Sequence, residues 1–95
     1  MKILLDGNKM KTKEDAHEYI KNKLTLPDYY GRNLDALWDL LTTVVVDVDI
    51  IMYNQKAVIE GLGEYGENLI ETFKEAMEEN NDIRFRILNT RKKVE

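Results

Sequence analysis

The spacing of apolar residues changes several times along this chain, and each change marks an element. Ile3–Leu5 is a short apolar run ending at the turn signal Asp6-Gly7-Asn8, which predicts a strand. Ala16, Tyr19, Ile20 and Leu24 then recur on one face, so residues 13–24 read as an amphipathic helix. Thr12 is its N-cap, with Asp15 three residues on in a capping-box-like place. Pro27 ends any helical continuation. The loop "LPDYYGRN" follows, with Gly31 available for a left-handed turn. Asn33 is a good N-cap for a second helix, whose apolar face is Leu34, Leu37, Trp38 and Leu41 at the spacing i, i+3, i+4, i+7. The β-branched run "VDVDIIMY", residues 46–53, reads as a buried strand. A short helix over 55–60 runs out in the glycines at 61, 63 and 66. Leu69, Ile70, Phe73, Ala76 and Met77 then form one stripe of a longer helix that Asn80-Asn81 stops. In "IRFRIL", residues 83–88, Ile83, Phe85 and Ile87 alternate with Arg84, Arg86 and Leu88 as a last strand.

Three strands separated by helical crossovers predict an α/β fold with a three-stranded parallel sheet packed by helices. A chain of 95 residues without repeat, linker or low-complexity stretch reads as one domain over 1–95, with "RKKVE" at 91–95 as a solvated tail. The absence of cysteine excludes disulfides, thiolate chemistry and zinc-thiolate sites, and fits a reducing compartment. The apolar run in MKILLDGNKM is too short for a signal-peptide core and is interrupted by Asp6, so a cytoplasmic location and no membrane association are expected.

Charge changes the picture more than composition does. Residues 1–27 hold six basic and four acidic residues, residues 28–79 three basic and twelve acidic, and residues 80–95 five basic and two acidic. The middle segment is therefore strongly anionic. Nucleic-acid binding is not expected, because its main source of affinity is clustered Lys and Arg against phosphate. A basic partner is the better match for such a surface. Within the second helix, Asp35 and Asp39 lie four residues apart, an arrangement that costs a few tenths of a kcal/mol. The helix dipole favours Asp35, near the helix start, but does nothing for Asp39 a turn further in. Glu67, Glu71, Glu75 and Glu78 repeat the theme on the later helix, with Lys74 as its one basic partner. Tyr29 and Tyr30, in the loop before the acidic pair, read as exposed aromatics.

Catalytic readings are thin by comparison. His17 is the sole histidine and has no neighbour in sequence that would make it a nucleophile's base, so a surface or packing role is expected. "GLGEYGEN" lacks the preceding strand and the Lys-Ser/Thr of a phosphate loop, and its glycines read as loop punctuation. Two acids on one convex helix make neither a glycosidase cleft nor a complete metal site. No catalytic residue, metal or cofactor is expected.

The segment "LPDYYGRNLDALWDLLT", residues 26–42, resembles the signature of the barstar family of intracellular ribonuclease inhibitors. The likeness continues in the opening strand and Gly turn, in the first helix ending before Leu26-Pro27, and in "FKEAMEENNDIRFRIL" at 73–88. It implies a non-enzymatic protein that plugs the active site of a basic, secreted-type ribonuclease in a 1:1 complex, being monomeric when free. The resemblance places Asp39 in the enzyme's phosphate subsite and Asp35 against neighbouring basic groups. Tyr29 packs by the catalytic histidine, Thr42 lies at the rim, and Gly31, Asn33 and Leu34 supply backbone and packing contacts. Glu75 is an acidic contact on the later helix, and Trp38 is partly core and partly support. A cationic nuclease cleft explains why carboxylates on a rigid helix can mimic substrate charge, and the family's own nuclease–inhibitor pair is a standard example of the electrostatic steering that results. The chain departs from the family pattern at Arg32, where an acid is usual, and at Thr43-Val44, which replace a Gly-Trp pair. Leu40 and Asn81 stand at the family's two cysteine positions. A barstar-fold interaction module with a non-nuclease basic partner is the alternative.

Overall fold

A computed structural model describes residues 1–88, so the tail expected at 91–95 lies outside the described residues. The order of elements is β1 (Lys2–Asp6), α1 (Lys13–Leu24), α2 (Leu34–Thr43), β2 (Val48–Tyr53), α3 (Gln55–Leu62), α4 (Glu64–Glu79) and β3 (Ile83–Leu88), with a 3₁₀ turn at Gly7–Lys9. The sheet is parallel throughout in the order β1-β2-β3, with Leu4 opposite Ile51 and Ile51 opposite Arg86. This is the expected α/β fold. Both crossovers step in the same direction, and crossovers of one hand then lay all their helices on one face. Burial agrees: Ile3, Leu5, Val48, Ile50, Met52, Ile83 and Phe85 point into the core. Leu4, Arg84, Arg86 and Leu88, on the opposite pleat, are exposed. The second strand begins at Val48 rather than at residue 46, because Asp47 takes a left-handed conformation (φ 54°) that breaks the extended run.

Packing of α4 on the sheet centres on Phe73, whose ring stacks on Phe85 at 5.0 Å between centroids. The glycines at 61 and 66 are not loop punctuation. Both lie inside helices, and only Gly63 (φ 61°) makes the turn between α3 and α4. A Cβ on Gly66 would stand 2.6 Å from the Val58 carbonyl oxygen, so glycine there allows the two helices to approach closely. No helix among the described residues is long and apolar enough to cross a membrane.

Two polar devices fix the frame around α2. At its C-terminal end, where no Lys or Arg stands in the last turn, the Asn80 amide at the end of α4 donates to the carbonyls of Leu41 (2.9 Å) and Val45 (3.0 Å). The Leu41 carbonyl, in the last turn, would otherwise lack an intrahelical partner. The second device lies under the loop that precedes α2. There His17 is buried (1% exposed), with Nδ1 2.5 Å from the Tyr30 hydroxyl and Nε2 2.6 Å from the Tyr65 hydroxyl. Tyr30 is therefore a core residue (2% exposed), not the surface aromatic expected from sequence. A neutral imidazole offers one donor and one acceptor. The Tyr30 hydroxyl is buried with His17 as its partner, so it donates to Nδ1. Nε2–H then donates to Tyr65, whose half-buried hydroxyl can pass its own proton to water. Burial of the ring, and next the Arg32 guanidinium, hold the His17 pKa below its ordinary value.

Asn80→Ala removes both bonds to the end of α2 and is expected to cost about 1–3 kcal/mol. Urea unfolding would register this as a lower midpoint at unchanged slope. A lowered histidine pKa means that the unfolded chain binds the proton more tightly. Stability is therefore full above the unfolded value near 6.5 and falls as pH drops toward the folded value, by at most about 1.4 kcal/mol per pH unit. Urea curves from pH 8 to 5 measure this loss, which His17→Gln is expected to abolish.

Candidate partner-binding surface

The local sequence around α2 does two jobs. Asn33 caps the helix, its Oδ1 accepting from the Ala36 N–H at 2.8 Å, and its Nδ2 donates back to the Gly31 carbonyl at 3.3 Å. The expected N-cap is therefore present, and it also ties the loop to the helix. The left-handed residue is Arg32 (φ 57°), not Gly31. This conformation is uncommon for a residue with a side chain. It carries the Arg32 guanidinium back onto α1, where Nη2 lies 3.0 Å from Glu18 Oε1 and Nη1 donates to the Tyr30 carbonyl at 3.3 Å.

Inside the helix, Leu37, Leu40 and Leu41 are buried, while Leu34 is half-buried and Trp38 is 38% exposed. The apolar face is thus rotated from the stripe expected from spacing. Leu40 joins the core, and the Trp38 indole moves toward the acidic side. Asp35 and Asp39 lie on the face opposite the core, both exposed. Packing of α2 against α4 brings Thr72 and Glu75 to them. Leu34, Asp35, Trp38 and Asp39 from α2 line one open groove of about 430 Å³ with Thr72 and Glu75. Among the described residues, none of the three carboxylates is paired with a cation. Nor do any three His, Asp or Glu side chains converge closely enough to ligate a metal ion.

The remaining expected site residues fall into two groups. Tyr29 (75% exposed) and Gly31 stand in the loop at the N-terminal end of α2, on the surface. Thr42 is half-buried and turned back onto its own helix, its hydroxyl within donating reach of the carbonyls of Trp38 (2.9 Å) and Asp39 (3.1 Å), and it does not line the groove. Thr72 was not expected in the groove. Its place three residues before Glu75 on α4 is a signal that could have found it. His17, for which a surface or packing role was expected, is a packing residue, and no local pattern announces its contact with Tyr65, because the two are 48 residues apart in sequence.

Chemically, the groove offers three water-exposed carboxylates and an indole, two of the acids on α2 and one on α4, while the Tyr29 phenol stands exposed in the loop before α2. Exposed acids beside an aromatic suit recognition of a cationic surface.

Comparison with known proteins agrees in outline. The family model described as "Barstar (barnase inhibitor)" matches residues 1–89. A protein of Bacillus subtilis (strain 168), named "Putative ribonuclease inhibitor YrdF", is 43% identical over 82 residues, covering 85% of this chain and 90% of that protein. The chain has the parallel three-stranded sheet and the acidic second helix described above, and it belongs to the barstar family.

Proposed function

We propose that this protein inhibits a bacterial ribonuclease of the barnase type by seating α2 and the loop before it in the enzyme's active-site cleft. The observation that carries the proposal is the set of exposed, cation-free carboxylates Asp35, Asp39 and Glu75 gathered along one groove. A nuclease cleft must be cationic to hold RNA phosphate. Negative charge fixed at the spacing of a helical turn can occupy that field without being cleaved. Complementary potentials also accelerate encounter, the more so at low ionic strength.

In this reading Asp39 enters the phosphate subsite and Asp35 meets basic groups beside it. Tyr29 and Trp38 supply aromatic surface around the charges, and Glu75 extends the contact to α4. Gly31, Asn33 and Leu34 shape the backbone of the docking face, with Thr42 at the rim. The complex is 1:1, the free protein is a monomer, and it acts in the cytoplasm, where escaped nuclease activity would be lethal. The drawn-back position of Arg32 supports this reading. Its charge is spent on Glu18 and the Tyr30 carbonyl rather than displayed in the groove.

Titrating a barnase-type ribonuclease with the protein tests the proposal. A sharp endpoint at one equivalent is expected, whereas undiminished turnover at large excess would favour a non-nuclease basic partner. Asp39→Ala should weaken inhibition by about 3–5 kcal/mol, because it strands cations buried in the complex. The same change should leave the free protein equally stable or a few tenths of a kcal/mol more stable, since it relieves the repulsion with Asp35. Normal inhibition by Asp39→Ala near stoichiometric concentrations would sink this docking mode.

A further inference from the structure

We propose that Arg32 is a positioning residue for the docking face, and that its ion pair with Glu18 of α1 holds a strained turn whose release weakens binding of the partner. The inference rests on reading the loop at 28–33 and α2 as that face. Several ties hold the loop to the body of the protein. At its start, Lys21 Nζ lies 3.3 Å from Asp28 Oδ1, and the Tyr30 N–H closes a turn on the Pro27 carbonyl at 3.0 Å. Tyr30 itself is buried. Beyond it the chain must still turn into α2, and Gly31, Arg32 and Asn33 are all exposed on the way. No apolar burial fixes the backbone there. Arg32 takes the left-handed conformation (φ 57°), and the Asn33 amide bonds back across it to the Gly31 carbonyl. The same Asn33 side chain caps the Ala36 N–H. The turn at Arg32 thus decides where α2 begins and how Asp35, in its first turn, is presented.

A left-handed backbone is unfavourable for a residue with a Cβ, whereas glycine adopts it freely. At Arg32 the side chain offsets that strain. Its Nη2 lies 3.0 Å and its Nε 3.3 Å from the same Glu18 Oε1, and Nη1 donates to the Tyr30 carbonyl at 3.3 Å. One planar group therefore joins α1, the loop and the turn, a fork that lysine could not reproduce. Both partners are about half exposed, at 46% and 52% of the side chain. An exposed ion pair is weak, and together with the bond to the Tyr30 carbonyl it is comparable with the strain it opposes. The turn is poised as a result. With the pair intact the docking form prevails. Without it the chain at Arg32 relaxes out of the left-handed region and draws the Asn33 cap with it. Attachment matters here more than charge, because Glu18 balances the guanidinium and neither residue lines the acidic groove. Apparent affinity then falls in proportion to the population of the docking form.

Three variants separate strain from charge. Arg32→Ala keeps the Cβ and loses the pair, Glu18→Ala loses the pair from the other side, and Arg32→Gly loses pair and strain together. In the free protein, hydrogen exchange of the Ala36 amide reads the Asn33 cap. Protection should fall about two- to fivefold in Arg32→Ala and Glu18→Ala, the range of an exposed ion pair, and stay near native in Arg32→Gly. Inhibition of a barnase-type ribonuclease is then titrated under conditions where every variant is fully folded. Affinity should follow the same order, with Arg32→Gly recovering what Arg32→Ala loses. A merely structural pair would leave inhibition unmoved under those conditions, so equal inhibition by all four proteins overturns the coupling to docking. Arg32→Gly as weak as Arg32→Ala overturns the proposal in favour of a direct contact between Arg32 and the partner. An Ala36 amide indifferent to both Arg32→Ala and Glu18→Ala overturns it outright. If the native protein inhibits no ribonuclease, the proposed function fails, while the exchange comparison still decides the role of Arg32.

Discussion

Everything on the functional face depends on how one side of α2 is buried. Leu37, Leu40 and Leu41 are each nearly or fully excluded from water beneath α4 and the sheet. Three such side chains contribute several kcal/mol of burial, at about 1.5–3 kcal/mol each. That sum far exceeds the few tenths of a kcal/mol lost when Asp35 and Asp39 repel one another across a turn. The core therefore dictates the rotation of the helix, and the acids are carried outward whatever their mutual cost. Rotation by a single residue would turn Asp39 toward the core or withdraw Trp38 from the groove.

The same economy explains why α4 belongs to the surface. Its inward residues, Leu69, Phe73 and Ala76, are fully buried, and Phe73 is locked against Phe85 of β3. Glu75 and Thr72 are then fixed relative to α2 by a shared core rather than by any direct bond between them. Apart from the Asn80 amide at the far end of α2, such a groove needs no polar cross-links, so its carboxylates remain free of partners until another molecule supplies them. Rigidity of this kind limits the conformational entropy lost on association.

Much of this could be read from the sequence, and the misses have physical reasons. Helices with long stripes, such as Leu69 to Met77, announced themselves, and so did the caps Thr12 and Asn33, because their hydrogen bonds are local. The acidic pair on α2 was visible for the same reason. A helix of ten residues carries too few turns to choose between Trp38 and Leu40 as its core neighbour, and that choice is made by α4. Gly61 and Gly66 looked like turn residues, yet they serve close approaches to Lys11 and Val58, which only tertiary structure reveals. Tyr30 beside Tyr29 looked like a pair of surface rings. Their separation into one buried and one exposed side chain depends on His17, thirteen residues away.

The anchoring of α2 has a further property that follows from its chemistry. Ordinarily the C-terminal end of a helix is stabilised by Lys or Arg, whose charge complements the dipole. Here the Asn80 amide does that work at one end, the Asn33 amide caps the other, and Tyr30 of the loop is bonded to a neutral imidazole. The nearest cation of the loop, Arg32, is turned onto Glu18. Each of these devices holds geometry without adding net positive charge to the acidic face. Had the helix been fastened by salt bridges, the same cations would have diminished the field that the carboxylates project. The chain thus separates two requirements that usually compete, a fixed helix and an unneutralised anionic surface, by meeting the first almost entirely with neutral hydrogen bonds and apolar burial.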